Sequence, residues 1–286
     1  MNESTASGAL RRFVGRRAIV TGASRGIGAG VAERLAAEGA SVALVARTGE
    51  PGTKIAGSLR ETADRLADHG VLVAVVVADL TDEQDRARVV PAAVEALEGP
   101  IDVLVNNAAA AVYAPVVEMP LRRRRLLFEA NVHAPLDLVQ AVVPAMAAAG
   151  QGWIVNLGSR TARHWSGPPF DLGVTGTTTS VYGASKAALD RISNGLAAEL
   201  FDVGIRVNAI APRGAVMSEG AEALVGGRID PEKIESLEHM VEAVVALCCC
   251  GPEVTGQSRV SDDVLTDFAL DVRGLDAAPL NRDAST

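Results

Sequence analysis

Short aliphatic runs alternate with longer stretches of helical spacing along most of this chain, and that alternation constrains its fold more than any other feature. The runs lie at residues 18–20, 41–46, 71–77, 103–105, 153–157 and 205–210, with a shorter one at 259–260. Helical patterns pass through Val31 and Leu35 to Gly39, lead up to His69-Gly70, and cover residues 82–97, 121–149, 181–201 and 231–247. Strand followed by helix, repeated, predicts a parallel sheet covered on both faces. The run at 71–77 is almost purely aliphatic and reads as a strand buried on both faces. Pro135 is expected to bend the long central helix. With no internal repeat and no inter-domain linker, the 286 residues read as one α/β domain.

Two local patterns carry chemistry. The first strand feeds Thr21-Gly22-Ala23-Ser24-Arg25-Gly26-Ile27-Gly28. Glycines between a strand and a helix let backbone N–H groups approach a pyrophosphate at the helix N-terminus. A tight structural connection is the alternative, and the spacing departs from G-x-G-x-x-G. The second pattern is Tyr182-Gly183-Ala184-Ser185-Lys186. Four residues is about one helical turn, so phenol and ammonium share a helix face. A tyrosine loses its proton near pH ~10, and a fixed positive charge nearby lowers that value. The pair is a proton donor and acceptor in the making; a plain surface pair is the bland alternative.

Composition narrows the classes. The net charge of −8 and pI near 5.1 argue against a general nucleic-acid surface. At 48% hydrophobic and 3% aromatic, the core must be built from Ala, Val and Leu. The three cysteines are consecutive, Cys248 to Cys250, and fit neither a disulfide nor a zinc pattern. They read as small apolar residues at a helix end in a reduced, cytoplasmic protein, with no metal expected. Residues 1–13 lack the apolar core of a secretory signal. No run reaches the ~18 uninterrupted apolar residues of a membrane span. The mid-chain run 108–117 is short and contains Tyr113 and Pro115.

Taken together, the marks resemble the short-chain dehydrogenase/reductase family, in its single-domain form. They are the turn from Thr21 to Gly28, Asp79-Leu80, Asn106-Asn107-Ala108-Ala109, Asn131, Ser159, the Tyr182/Lys186 pair, and Asn208 followed by Pro212. They stand in family order across most of the chain and weaken after Gly220. The resemblance implies a Rossmann-type, doubly wound parallel sheet with helices on both faces. The domain is expected over residues 15–260, after an N-terminal extension (1–14) and before a polar, acidic C-terminal arm (261–286). It also implies hydride transfer between a nicotinamide and a carbonyl or secondary alcohol, in a homodimer or homotetramer packed through the long helices.

Residue roles follow from the resemblance. Ser159 and Tyr182 hydrogen-bond the substrate oxygen, Lys186 tunes Tyr182 and holds the ribose, and Asn131 holds a water that connects the lysine to solvent. A polar residue that merely bends its helix is the alternative for Asn131. The cofactor is expected against Gly22, Ser24, Arg25, Gly26, Ile27, Gly28, Arg47, Thr48, Asp79, Leu80, Asn107, Ala108, Ala109, Pro212, Gly214 and Val216, besides Tyr182 and Lys186. Asp79 looks like an adenine contact, with a helix cap by Asp79 or Thr81 as its alternative. A 2′-hydroxyl prefers an acidic partner and a 2′-phosphate needs cations. Arg25 and Arg47, with no carboxylate before Glu50, therefore favour NADP(H) over NAD(H), unless Arg47 is only a solvated loop residue.

Three departures stand out. Alanine (Ala109) replaces the last glycine of Asn-Ala-Gly. Ser159 and Tyr182 lie 23 positions apart, more than is usual, which places an insertion in 161–180 over the substrate mouth. Ser166 and Ser180 are rival hydroxyls, but neither ends a strand. Pro212-Arg213-Gly214 stands where the family has Pro-Gly; if Arg213 is an insertion, Gly214, Val216 and Ser218 keep family register, and if it replaces the glycine, it could reach the cofactor phosphates or an acidic substrate. The run Arg122 to Arg125 reads as a solvated face, with a subunit contact or an anion site as the minority reading. The substrate is expected to be small and mildly apolar. Two rivals stay open: an NAD-dependent oxidative dehydrogenase, and a catalytically silent dinucleotide-binding regulator on the same fold.

Overall fold

The computed structural model describes residues 10–52, 56–170, 177–217, 219 and 231–280. Its centre is a seven-stranded sheet in which every neighbouring pair is parallel. The strands are β1 (Arg17–Thr21), β2 (Ser41–Ala46), β3 (Val73–Val77), β4 (Val103–Asn106), β5 (Gly152–Leu157), β6 (Ile205–Ala211) and β9 (Ser258–Val260). Their order is β3-β2-β1-β4-β5-β6-β9. A small second sheet pairs β7 (Ala215–Val216) with β8 (Ile234–Glu235). Strand order reverses between β1 and β4, so a crevice opens beyond their C-terminal ends, where open parallel sheets bind ligands.

Helices α1 (Gly26–Ala37), α2 (Leu59–Leu66), α7 (Leu237–Leu247) and α8 (Ser261–Asp267) cover one face. Val31, Leu35, Leu66, Met240 and Val244 fill that layer against Val20, Leu44 and Val105. The other face carries α3 (Glu83–Ala96), α4 (Leu121–Phe128), α5 (Ala134–Ala149) and α6 (Ser180–Leu200). Here Val89, Leu138, Val142 and Met146 meet Ile19, Leu104 and Ile154. Few aromatics are needed, because aliphatic side chains interdigitate closely at this spacing.

Three sequence expectations are corrected. The run at 71–77 is not buried on both faces: β3 is an edge strand, and Val75 and Val77 are each 45% exposed. Aliphatic purity reports strand propensity as well as burial. The helix expected at 121–149 is not one regular α-helix, and Pro135 sits in the first turn of its last part, α5. It is interrupted just before, by a π-helical turn at Glu129–His133. By length and composition this stretch could cross a membrane, yet Leu138, Val139, Val142 and Met146 are spent against the sheet. The helix expected from 231 starts at Leu237, because the Ser236 hydroxyl caps it by accepting the His239 N–H at 3.2 Å. Within the expected C-terminal arm, Val264 and Leu265 are buried, and Leu270, Val272 and Leu275 lie against the core; residues 281–286 lie outside the described residues.

The N-terminal segment is likewise tied in. Phe13 is fully buried, and Arg12 joins a cluster with Arg34, Glu38 and Glu242. Arg34, fully buried, reaches Glu38 at 2.7 Å and Glu242 at 2.5 Å, fastening α1 to α7. Burial raises the thiol pKa of all three cysteines, which leaves them as inert packing residues.

Candidate active site

The turn after β1 shows why its glycines are glycines. A side chain at Gly28 would place Cβ 2.4 Å from the Gly22 carbonyl oxygen and 2.4 Å from Asn107 Nδ2. Gly22 and Gly26 adopt φ of +66° and +53°, the left-handed region. Thr21 and Asn107 lock this turn to the loop after β4. Asn107 Nδ2 donates to the Thr21 and Gly22 carbonyls at 2.9 and 3.2 Å, and Thr21 Oγ1 accepts the Asn107 and Ala108 N–H groups at 3.0 Å. At the start of α1 the Gly26 N–H donates to the Glu219 carboxylate at 3.1 Å. An anionic group is thus already held at this helix N-terminus.

Ser159, Tyr182 and Lys186 come together at the end of β5. Ser159 lies two residues beyond the strand, and its Oγ accepts the Thr161 N–H at 3.2 Å. Tyr182 and Lys186 lie one turn apart on α6 and are 9% and 2% exposed. Burial pushes the Tyr182 phenol well above its ordinary range; Tyr113 adds to this, and a hydrogen bond with Ser159 opposes it. Burial also lowers Lys186, to about 8, with Asp190 opposing. The sequence expectation that Lys186 depresses the Tyr182 pKa is not met here. Its ammonium instead donates to the Leu157 carbonyl at 2.6 Å, the partner a buried cation requires.

Asn131 sits within the π turn and is fully buried. Its Oδ1 accepts the Ala110 N–H at 2.9 Å, and Nδ2 donates to the Ala110 carbonyl at 2.9 Å and to Ser185 Oγ at 3.0 Å. Both amide hydrogens are therefore used to dock the β4 loop and α6 on each other. A π turn releases a backbone carbonyl from helical pairing, which is why such turns gather at functional sites.

A glycine cradle at the reversal of a parallel sheet, with a serine, a tyrosine and a lysine one crevice away, is the layout against which known proteins can be compared. The family model for short chain dehydrogenases matches residues 16–226. This chain belongs to the short-chain dehydrogenase family. It is 33% identical to Oxidoreductase UcpA of Escherichia coli over 236 residues, covering 82% of each chain. It is 32% identical to human L-xylulose reductase over 245 residues, 82% of this chain and 89% of that protein. Among curated relatives it spans only 59% of the length of the Danio rerio hydroxysteroid dehydrogenase-like protein 2. A short chain dehydrogenase from Mycobacterium thermoresistibile superposes with TM-score 0.77 at 28% identity, covering 96% of both chains. A 3-oxoacyl (acyl-carrier-protein) reductase from Agrobacterium tumefaciens, with NADP bound, gives TM-score 0.72 at 25% identity over 90% of this chain and 97% of that one.

In this short-chain dehydrogenase the strand-end loops also bring the remaining candidates to one crevice. Arg25 donates to the Gly57 carbonyl at 2.8 Å and lies 3.5 Å from Thr48 Oγ1; its Nε is buried with no partner among the described residues. Ser24 is buried in the same turn, and Ile27 is half-buried. Arg47 is 72% exposed and lies 4.0 Å from Asp79. Asp79 is not the cap of α3; Asp82 is, accepting the Asp85 N–H at 3.0 Å. Asp79 instead accepts from Thr81 N and Oγ1 in a local turn. Leu80 is buried, and its carbonyl accepts from Arg86, which also pairs with Glu129 on the π turn at 2.6 Å. Ala109 is exposed beside the crevice.

The departures from the family pattern resolve physically. Arg213 pairs with Asp262 at 3.3 Å, and its N–H donates to the buried Glu235 at 2.7 Å. Pro212 and Gly214 flank it and Val216 is buried in β7; Ser218 lies outside the described residues. Ser166 and Ser180 are exposed and do not join Ser159. Arg122 to Arg125 are exposed on α4. Residues 171–176 of the insertion lie outside the described residues.

Sequence reasoning passed over Tyr113. Its ring meets the Tyr182 ring edge-on, with centroids 5.5 Å apart and planes at 68°. The loop that carries it is pinned at Ala110 by Asn131 and at Ala114 by the Thr178 carbonyl at 3.0 Å. These are the only two tyrosines in the chain, a scarcity that could have flagged the pairing.

Proposed function

We propose that this protein is an NADP(H)-dependent reductase acting on a small carbonyl compound and, in reverse, on the corresponding secondary alcohol. The observation that carries the reading is the convergence of Ser159, Tyr182 and Lys186 at the end of β5, across the crevice from a turn that only glycine fits. The cradle around Gly22 and Gly28 suits a pyrophosphate, and the Glu219 carboxylate on the Gly26 N–H marks an anion position. The Nε of Arg25, without a partner among the described residues and with Thr48 beside it, supports a 2′-phosphate. Asp79 and Leu80 would flank the adenine. Ile27, Asn107, Ala108 and Ala109 would line the path inward, and Lys186, Pro212, Gly214 and Val216 would bound the nicotinamide end.

When bound, the nicotinamide gives or takes the hydride. Ser159 and Tyr182 hold the substrate oxygen with two hydroxyl donors where negative charge grows. A phenol raised above its ordinary pKa is fully protonated at neutral pH, which suits it to donate in the reducing direction. Lys186 then stabilises the phenolate as it forms. Asn131 acts by fixing the loop at Ala110 and the helix at Ser185. Tyr113 and the neighbouring Ala111 and Val112 give the mouth an apolar wall, which supports a mildly apolar substrate. The groove between α5 and α6, lined by the half-buried Val143, Ile192 and Leu196, supports a dimer or tetramer. Three unpaired cysteines support a cytoplasmic setting.

The test is NADPH consumption across a panel of aldehydes and ketones, with Tyr182→Phe beside wild type. The variant should lose at least about 100-fold in kcat, the usual contribution of a positioned general acid, while NADPH binding is kept. Full turnover by Tyr182→Phe would remove the phenol from the mechanism.

A further inference from the structure

Lys186 is a cation buried in the protein interior, and such a group needs a counter-charge as well as a hydrogen-bond acceptor. The acceptor is the Leu157 carbonyl. The counter-charge stands one helical turn further on, at Asp190. One carboxylate oxygen, Oδ2, accepts the Ser258 hydroxyl at 2.9 Å. The other, Oδ1, is buried and has no hydrogen-bond partner among the described residues. It faces Gly158, where a Cβ would lie 3.0 Å from it. Ammonium and carboxylate thus bracket one short piece of backbone, Leu157-Gly158, immediately before Ser159.

We propose that Asp190 is a positioning residue for the catalytic lysine: it keeps the buried Lys186 ammonium charged and directed at the end of β5. Tyr182, Lys186 and Asp190 then form an i, i+4, i+8 row on one face of α6, with acid, cation and counter-ion in that order. The opposing effects of burial and charge on the two groups agree: burial lowers Lys186 and Asp190 raises it, while burial raises Asp190 and Ser258, Lys186 and Arg163 lower it. Asp190 is the titratable group acting on Lys186; Asp190 itself also faces Arg163, beyond β5. Gly158 is explained as well, since any side chain there would push into the carboxylate.

The chain contains three lysines, Lys54, Lys186 and Lys233, so each can be followed separately by NMR in the full-length protein labelled on lysine side chains. Lys186→Arg assigns its signal. The expected result is that Asp190→Asn lowers the Lys186 titration midpoint by about one pH unit, the effect of removing a close opposite charge. Asp190→Glu should restore most of the midpoint. If Asp190→Asn does not fold, Gly158→Ala displaces the carboxylate and should move the midpoint in the same direction by less. A Lys186 midpoint unchanged in every folded variant overturns the proposal. So does a loss of stability or activity with that midpoint unmoved, because Asp190 would then be only structural. The proposal rests on the redox reading for its catalytic consequence, but the titration does not use activity. A protein that fails to consume NADPH yet shows the shift would sink the redox reading and leave the pairing standing.

Discussion

Replacing Arg25 by alanine should separate the two nicotinamide cofactors. Arg25 spends one nitrogen on the Gly57 carbonyl at 2.8 Å, lies 3.5 Å from Thr48 Oγ1, and keeps Nε buried without a partner among the described residues. A hydrogen bond between a guanidinium and a phosphate contributes about 1.5–3 kcal/mol. Since 1.4 kcal/mol is tenfold, NADPH should bind Arg25→Ala roughly 10–100-fold more weakly. NADH, which offers only a hydroxyl at that position, should change by less than about threefold on the same scale. Arg25→Lys keeps the charge without the planar fork and should fall between. Fluorescence titration of both nucleotides gives the ratio directly, and repeating it at higher salt should shrink the NADPH effect as the charge is screened. The reasoning is refuted if both nucleotides weaken equally. Arg25 would then act only by anchoring the segment at Gly57, and the preference for NADPH would lose its physical basis.

Two further outcomes are expected. Glu219→Gln removes a charge that competes for the N-terminus of α1, an effect of about 0.3–1 kcal/mol at an exposed helix end; NADPH should bind roughly 2–5-fold tighter, and weaker binding in the same titration would exclude the competition. Arg34→Met strips the main partner from Glu242 and the second partner from Glu38, and should cost about 3 kcal/mol in thermal or denaturant unfolding, with Arg12 left to compensate in part. The pH dependence of that stability carries a definite sign. Burial pulls the Glu38 carboxyl up, but its bonds to Arg12 and Arg34 pull it further down, below its ordinary 4.5. Its stabilisation is therefore present above the ordinary carboxylate range and lost as pH falls through the lowered native value, so Arg34→Met should unfold at higher pH than wild type in an acid titration.

Much of the architecture was legible before any coordinates. Strand and helix alternation gave the parallel sheet, because a buried β-branched run and an amphipathic helix leave different periodicities. Boundaries at 41–46 and 153–157 fell within a residue of the observed strands. Tyr182 and Lys186 stood out as candidates because four residues place them on one helix face, whereas Ser159 was singled out only by the resemblance, its distance from Tyr182 along the chain being longer than usual. The misreading of β3 and the choice left open for Arg213 share one cause. Whether a strand is an edge, and which partner an arginine takes, depend on which element lies next to it, and neighbours in space leave no trace in local pattern.

The amino-acid order alone determined the fold class, the glycine-rich turn after the first strand and the shared helix face of Tyr182 and Lys186, since each rests on local pattern: aliphatic runs between helical stretches, glycines at a strand end, one helical turn. Only the tertiary structure decided the electrostatic state of those side chains. Tyr182 is raised rather than lowered, Lys186 is held by the Leu157 carbonyl and Asp190, and Asn131 has its amide consumed in docking a loop. Charge in a protein interior is set by burial and by partners brought from distant strands and helices, and neither exists until the chain has packed.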